Sequence, residues 1–258
     1  MSKYQFQGSR LDLFYELVRT DFVMRYHNSV LGFIWVLLKP FLLFLIIVTV
    51  FSFLFKNQDP NYNLNLLLGL LLYSYFSEST LRGVTSLFDR SSVILKVNFP
   101  KIIAIYTTIA NSFISFLAGF VIFLLFWFFI KPLNSLSGLP YFFVLVLILS
   151  GLILALNFFT SIIYTKLRDF LSIWEVLLQL IFWSTPIVYP LSILPEPLQR
   201  LALLNPLTVI ITQSRSALIS NDFYDWKTVG YATLFTIILL IMGYLFFRRE
   251  IKRVAENF

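Results

Sequence analysis

Two carboxylates stand where carboxylates are costly. Glu78 and Glu175 fall in stretches with no other charge, Tyr62 to Leu81 and Phe170 to Val188. An ionised side chain in a lipid environment turns to a bundle interior, a water-filled path or a cationic partner. Two readings fit. Either the two line a hydrophilic route, or each sits at the inner membrane edge beside a cation, Arg82 for Glu78 and Arg168 for Glu175. Their places near the ends of their stretches favour the second. Lys39 has a stem long enough to carry its ammonium group to the same edge. His27 is the single histidine. As a catalytic base it needs a nucleophile or a metal, and no HExxH, GxSxG or paired-histidine spacing supplies one. No glycine is followed by lysine, so no GxxxxGK[ST] loop is available to cradle nucleotide phosphates. The absence of cysteine excludes disulfides and thiolate metal sites. These residues suit passage through a membrane better than catalysis.

The elements that place those carboxylates are membrane spans. The chain is 59% hydrophobic and 13% charged over 258 residues, too apolar for a water-soluble domain. No charge occurs from Ile102 to Ile130, and about 20 apolar residues suffice to cross about 30 Å of hydrocarbon. Six spans are expected: Gly32 to Phe55, Tyr62 to Leu81 (the most polar), Lys101 to Ile130, Tyr141 to Thr165, Phe170 to Val188, and Lys227 to Phe247. The runs are continuous, not alternating, which argues for helices and against a barrel. The expected fold class is therefore an all-α membrane protein forming one transmembrane domain over 1–258. It divides into a cytoplasmic interface helix (1–31), a six-span bundle (32–247) and a cytoplasmic tail (248–258).

Fourteen of the 20 Lys and Arg residues fall in the two terminal segments and in the loops on one side, five in the opposite loops, and Lys39 within the first span. Basic loops stay in the cytoplasm, so both termini are expected there. The net charge of +7 then orients the chain in the membrane and does not mark a nucleic-acid surface. The first 22 residues lack the apolar core and cleavage site of a signal peptide, so the first span is expected to insert the chain. Trp35, Tyr62, Trp127, Tyr141 and Trp226, near span ends, fit interfacial anchors.

Three segments are not simple spans. Ser9 to Asn28 reads as an amphipathic helix, capped by Ser9 with Asp12, whose apolar face is Leu11, Phe14, Tyr15, Val18, Phe22 and Tyr26. Leu13 and Leu17 form a second ridge that suits contact with another span or subunit. The loop from Arg82 to Lys101 holds a short helix over Val93 to Val97, either a docking element for a partner or a connector lying on lipid. The short loop Lys166 to Asp169 is a second, smaller contact of the same kind. Tyr189 to Asp225 holds two apolar pieces, Leu198 to Leu204 and Leu207 to Ile219, set among Pro190, Pro195, Pro197 and Pro206. Pieces so short suggest re-entrant or interfacial helices capping the outer side.

Several segments together carry a resemblance. In RTDFVMRYHNSVLGFIWVLLKP, residues Arg25, Tyr26, Ser29, Leu31, Gly32, Trp35 and Pro40 match the leading segment of ABC exporter permeases that move lipid-linked polysaccharides, with His27 where a basic residue is commoner. VNFPK (Val97 to Lys101), RDFLSIWEVLLQLIFWSTPIVYP (Arg168 to Pro190), NPLT (Asn205 to Thr208) and FRRE (Phe247 to Glu250) are similar to later segments of the same family, in order.

The resemblance implies a homodimer in the cytoplasmic (inner) membrane, carrying two copies of a separate ATP-binding subunit. ATP and magnesium would then bind in that partner, with no cofactor in this chain and no nucleic acid involved. It implies that the first, second and fifth spans line a path for a lipid-linked glycan, O-antigen-like, with teichoic acid or capsular polysaccharide as the alternative cargo. Flat rings can stack on sugar C–H faces without fixing them, so Tyr73, Tyr75, Phe76, Trp174, Phe182 and Trp183, with Glu78, are the candidate lining residues. Arg90, Val93, Ile94, Lys96, Arg168 and Asp169 are the candidate contacts to the ATPase. An ion-coupled secondary transporter would need both carboxylates at mid-membrane and an internal repeat, and no repeat between the halves is visible. A lipid-modifying membrane enzyme would rest on His27 and scattered carboxylates alone.

Overall fold

The computed structural model describes residues 10–26, 32, 34–55, 59–91, 100–130, 137–220 and 225–253. Among these, regular structure is entirely helical. In chain order the α-helices are α1 (Arg10–Tyr26), α2 (Ile34–Phe55), α3 (Tyr62–Asp89), α4 (Ile102–Ile130), α5 (Leu139–Lys166), α6 (Phe170–Ser184), α7 (Glu196–Leu203), α8 (Pro206–Arg215) and α9 (Trp226–Glu250). Three of them are long and apolar enough to cross a membrane: Ile102–Phe129 of α4, Leu139–Lys166 of α5 and Trp226–Glu250 of α9. The apolar parts of α2 (Leu38–Ser52) and α6 (Phe170–Ser184) are shorter. Gly32, between α1 and α2, takes a φ of 43°, a left-handed turn that disfavours a side chain.

Helix α3 is the hub, packed against α4 and α5, while α5 packs most extensively on α9. Its 28 residues run eight beyond the expected end at Leu81. The extension is polar but not loop-like, because its small side chains form a helix seam. Ser79, Ser86, Asn157, Thr160 and Ser161 are all buried there. Asn157 Nδ2 donates to the Ser79 carbonyl at 3.3 Å, and a Cβ on Gly83 would lie 2.1 Å from Asn157 Cγ. Small residues let backbones approach where no hydrophobic effect drives helices together. On the other side of α5, a Cβ on Gly243 would stand 2.8 Å from the Ala155 carbonyl oxygen.

Helix α1 lies on α4, and the buried face is the second ridge. Leu13 is buried, with Phe14 and Leu17 beside it, against Ile103, Ala104, Ile105 and Leu87. Leu11 and Tyr15, on the apolar face expected to lie in the membrane surface, are exposed. Two interleaved apolar ridges run along α1, and the neighbour chose the one facing α4.

Three of the expected interfacial anchors are instead buried struts. Trp127 donates from Nε1 to the Leu218 carbonyl at 2.7 Å, Tyr62 from its hydroxyl to the Val188 carbonyl at 2.8 Å, and Tyr141 to Gln213 Oε1 at 3.1 Å. A buried ring with a polar tip seeks an acceptor, and the α6–α9 connection provides all three. Trp35 and Trp226 are exposed. That connection holds a 3-10 turn (Leu191–Ile193), α7, α8 and a π turn (Ser216–Ser220). Asn205 caps α8 by accepting from Leu207 N at 3.0 Å, and Pro206 follows at the first helical position. Most of α8 is buried.

Candidate functional site

Tyr73 stands at the α3–α6 contact. Its ring meets Phe182 edge-on at 5.0 Å, lies 6.3 Å from Phe76, and its hydroxyl donates to the Leu178 carbonyl at 2.5 Å. Trp174, one helical turn before Leu178, is buried and stacks on Phe170 at 6.0 Å. Its Nε1 has no acceptor among the described residues. Four candidate rings thus share one seam. Trp183 touches the seam through Phe182 at 5.2 Å but is 53% exposed. Tyr75 leaves on the opposite flank, against Phe113 at 5.9 Å and Phe116 at 5.2 Å on α4, with its hydroxyl 2.9 Å from Ser150 Oγ on α5. Residues two apart on a helix do not face the same way.

Glu78 pairs with Arg82 at 3.1 Å, partly exposed. Glu175 is exposed on α6, and Arg168 is not beside it. Its guanidinium lies 3.6 Å over the Phe88 ring and 5.3 Å from the Tyr164 ring. Such cation–π contact holds the α5–α6 turn to the end of α3. Ile173, Val176, Leu180 and Trp183 leave much of α6 exposed, as do Leu42, Leu45, Ile46 and Val50 on α2.

At the other side of the α3 terminus, Arg90 is turned inward. It pairs with Asp21 of α1 and donates from Nη1 to the Ala104 carbonyl at 3.0 Å. Only 7% of it is exposed, so in this structure the side chain is engaged within the chain and not offered outward. Burial pushes the Asp21 carboxyl above its ordinary range, against the opposing pull of Arg90. Asp169 is exposed at the start of α6. Val93, Ile94 and Lys96 lie outside the described residues. The chain's end ties down the same side: Lys166 Nζ lies 2.5 Å from Glu250 Oε2, and Lys101 Nζ donates to the Ile251 carbonyl at 3.1 Å.

Arg215 is a residue whose role the sequence reading missed. At the end of α8 it donates to three carbonyls: Nε to Asn65 at 3.0 Å, Nη1 to Pro186 at 2.7 Å and Nη2 to Ile187 at 2.7 Å. Gly69 makes the room, since a Cβ there would lie 2.6 Å from Nη2. Burial pulls the guanidinium down to about 10, still protonated at neutral pH. A lone cation in the apolar run from Leu207 to Ile219 was the available signal, because such a charge must find interior acceptors.

The helical fold includes three helices long and apolar enough to cross a membrane, and residues 12–219 match the ABC-2 type transporter family, so the chain belongs to it. It is 28% identical to the O-antigen export system permease protein RfbA of Myxococcus xanthus, over 98% of this chain and 96% of that one. It is 28% identical to RfbA of Klebsiella pneumoniae over 96% of each chain. The polysialic acid transport protein KpsM of Escherichia coli is 23% identical over 92% of this chain and 91% of its own.

Proposed function

We propose that this chain is the permease subunit of an ABC exporter that carries a lipid-linked, O-antigen-like polysaccharide across the cytoplasmic membrane. End-to-end similarity to O-antigen export permeases carries the reading, reaching 98% of the chain. In it α2, α3, α4, α5, α6 and α9 are the six spans of a single domain, with both termini cytoplasmic and α7 and α8 capping the outer side. The basic residues at the ends of α3, α5 and α9 support that orientation.

Two copies of the chain assemble with two copies of an ATP-binding subunit, which supplies ATP and magnesium. The exposed faces of α2 and α6 are where the second copy closes the path. Tyr73, Phe76, Glu78, Trp174, Phe182 and Trp183 line it, on the α3–α6 seam and beside it. Tyr75 does not, since it faces α4 and α5. The α5–α6 turn, with Arg168 and Asp169, meets the ATPase together with the segment holding Val93, Ile94 and Lys96.

Similarity to a polysialic acid transport protein keeps capsular polysaccharide as the second cargo. The test is reconstitution. Vesicles holding this chain with its ATPase export glycan on addition of ATP, and vesicles holding the chain alone do not. ATP hydrolysis or glycan export by the lone chain would overturn the reading.

A further inference from the structure

A cavity of about 570 Å³ opens between α1, the end of α3 and α4. That is within the roughly 300–1,000 Å³ of small-molecule sites. Its walls mix two chemistries. Leu17 and Met24 of α1 give an apolar side, while Thr20, Thr85 and Asn111 give uncharged polar groups.

Charge on the wall is balanced, with Arg82 and Arg90 against Asp21 and Asp89, and Arg82 is further tied to Glu78. A phosphate placed here meets two carboxylates and gains no net attraction. A polyol fits better. Carboxylates accept from hydroxyls, guanidinium groups donate to them, and an amide does both.

The decisive group is Asn111. It is 6% exposed, yet neither its Nδ2 nor its Oδ1 has a partner, and Arg90 Nε is likewise unpartnered. Buried amides are nearly always hydrogen-bonded, and leaving one bare is costly.

We propose that this cavity binds one sugar unit of the glycan at the cytoplasmic end of α3. The apolar wall takes the C–H face of the ring, and Asn111, Asp89 and Arg90 take its hydroxyls. The site rests on the export reading above and adds to it a place of capture that lies apart from the α3–α6 seam.

The chain has no cysteine, so Thr20→Cys supplies a single thiol at the cavity mouth. Its maleimide labelling rate is measured in the full permease–ATPase complex. The probe is the repeat-unit oligosaccharide released by mild acid from the source cell's surface polysaccharide. At about four times its dissociation constant the oligosaccharide slows labelling about fivefold, whereas sodium phosphate leaves the rate unchanged. Adding Asn111→Leu, or the milder Asp89→Asn at an exposed position, removes most of that protection. Protection by phosphate, or protection that survives both variants, overturns the sugar site. Glycan-stimulated ATPase activity of the complex with the unsubstituted permease is recorded in parallel. Stimulation without protection overturns the site and leaves the export reading standing, and absence of both overturns the two together.

Discussion

Two ends of the bundle handle buried polar groups differently. At the end that carries the α6–α9 connection, large donors are tied mostly to backbone carbonyls: Arg215 to three of them, Trp127 to Leu218 and Tyr62 to Val188, with Tyr141 on the Gln213 side chain. At the end where α3 meets α1, Arg90 shares its guanidinium between the Ala104 carbonyl and the Asp21 carboxylate, and the Asn111 amide has no partner among the described residues. The first end is held mostly through backbone, and the second depends on one side-chain ion pair and leaves an amide open.

The contrast can be broken from the end with the α6–α9 connection first. Arg215→Met strips three carbonyls of their donor and should cost about 3–5 kcal/mol, read as a fall in Tm of the detergent-purified chain. A cost under about 1 kcal/mol would mean that the cap is held by apolar packing alone. Gly83→Ala tests the seam between the ends. The new methyl overlaps Asn157, and about 2–3 kcal/mol is expected, while Gly230→Ala, with open space around it, should change Tm little.

Where α3 meets α1, Asp21→Asn leaves the buried Arg90 without its carboxylate, held only by the Ser86 and Ala104 carbonyls. Because Asp21 is 27% exposed, about 1–2 kcal/mol is expected, below the 3–5 of a fully buried pair. Its pH signature is more telling. The folded chain holds the Asp21 proton above the ordinary value of 3.8. This group's contribution is therefore full below that value and falls as pH climbs through the raised one. The Asn variant should lose that part of the slope in a pH series of unfolding curves. Trp127→Phe removes one hydrogen bond and should cost about 1 kcal/mol, measured the same way.

Much of the fold was legible because lipid imposes length and continuity. The expected third, fourth and sixth spans differ from α4, α5 and α9 by a few residues at most. The end of α3 was not legible. Arg82 to Asp89 reads as loop, and the close packing of Gly83 on Asn157 is what keeps the small residues helical there. The fate of Arg90 depended on Asp21, 69 residues earlier in the chain, which periodicity does not connect. The opposite directions of Tyr73 and Tyr75 were readable from their spacing alone. The contact ridge of α1 was readable too, since Leu13 and Leu17, set apart from the Leu11 and Tyr15 face, are the residues that meet α4.

Helix α6 has 15 residues, which at 1.5 Å each reach about 22 Å. Hydrocarbon is about 30 Å deep, so in the six-span reading proposed above α6 falls short of it by roughly a quarter. A short span is relieved by thinning the bilayer or by association with a neighbour. In that reading the exposed face of α6 gives the proposed second copy an energetic reason to sit there, because pairing covers what lipid alone would leave mismatched.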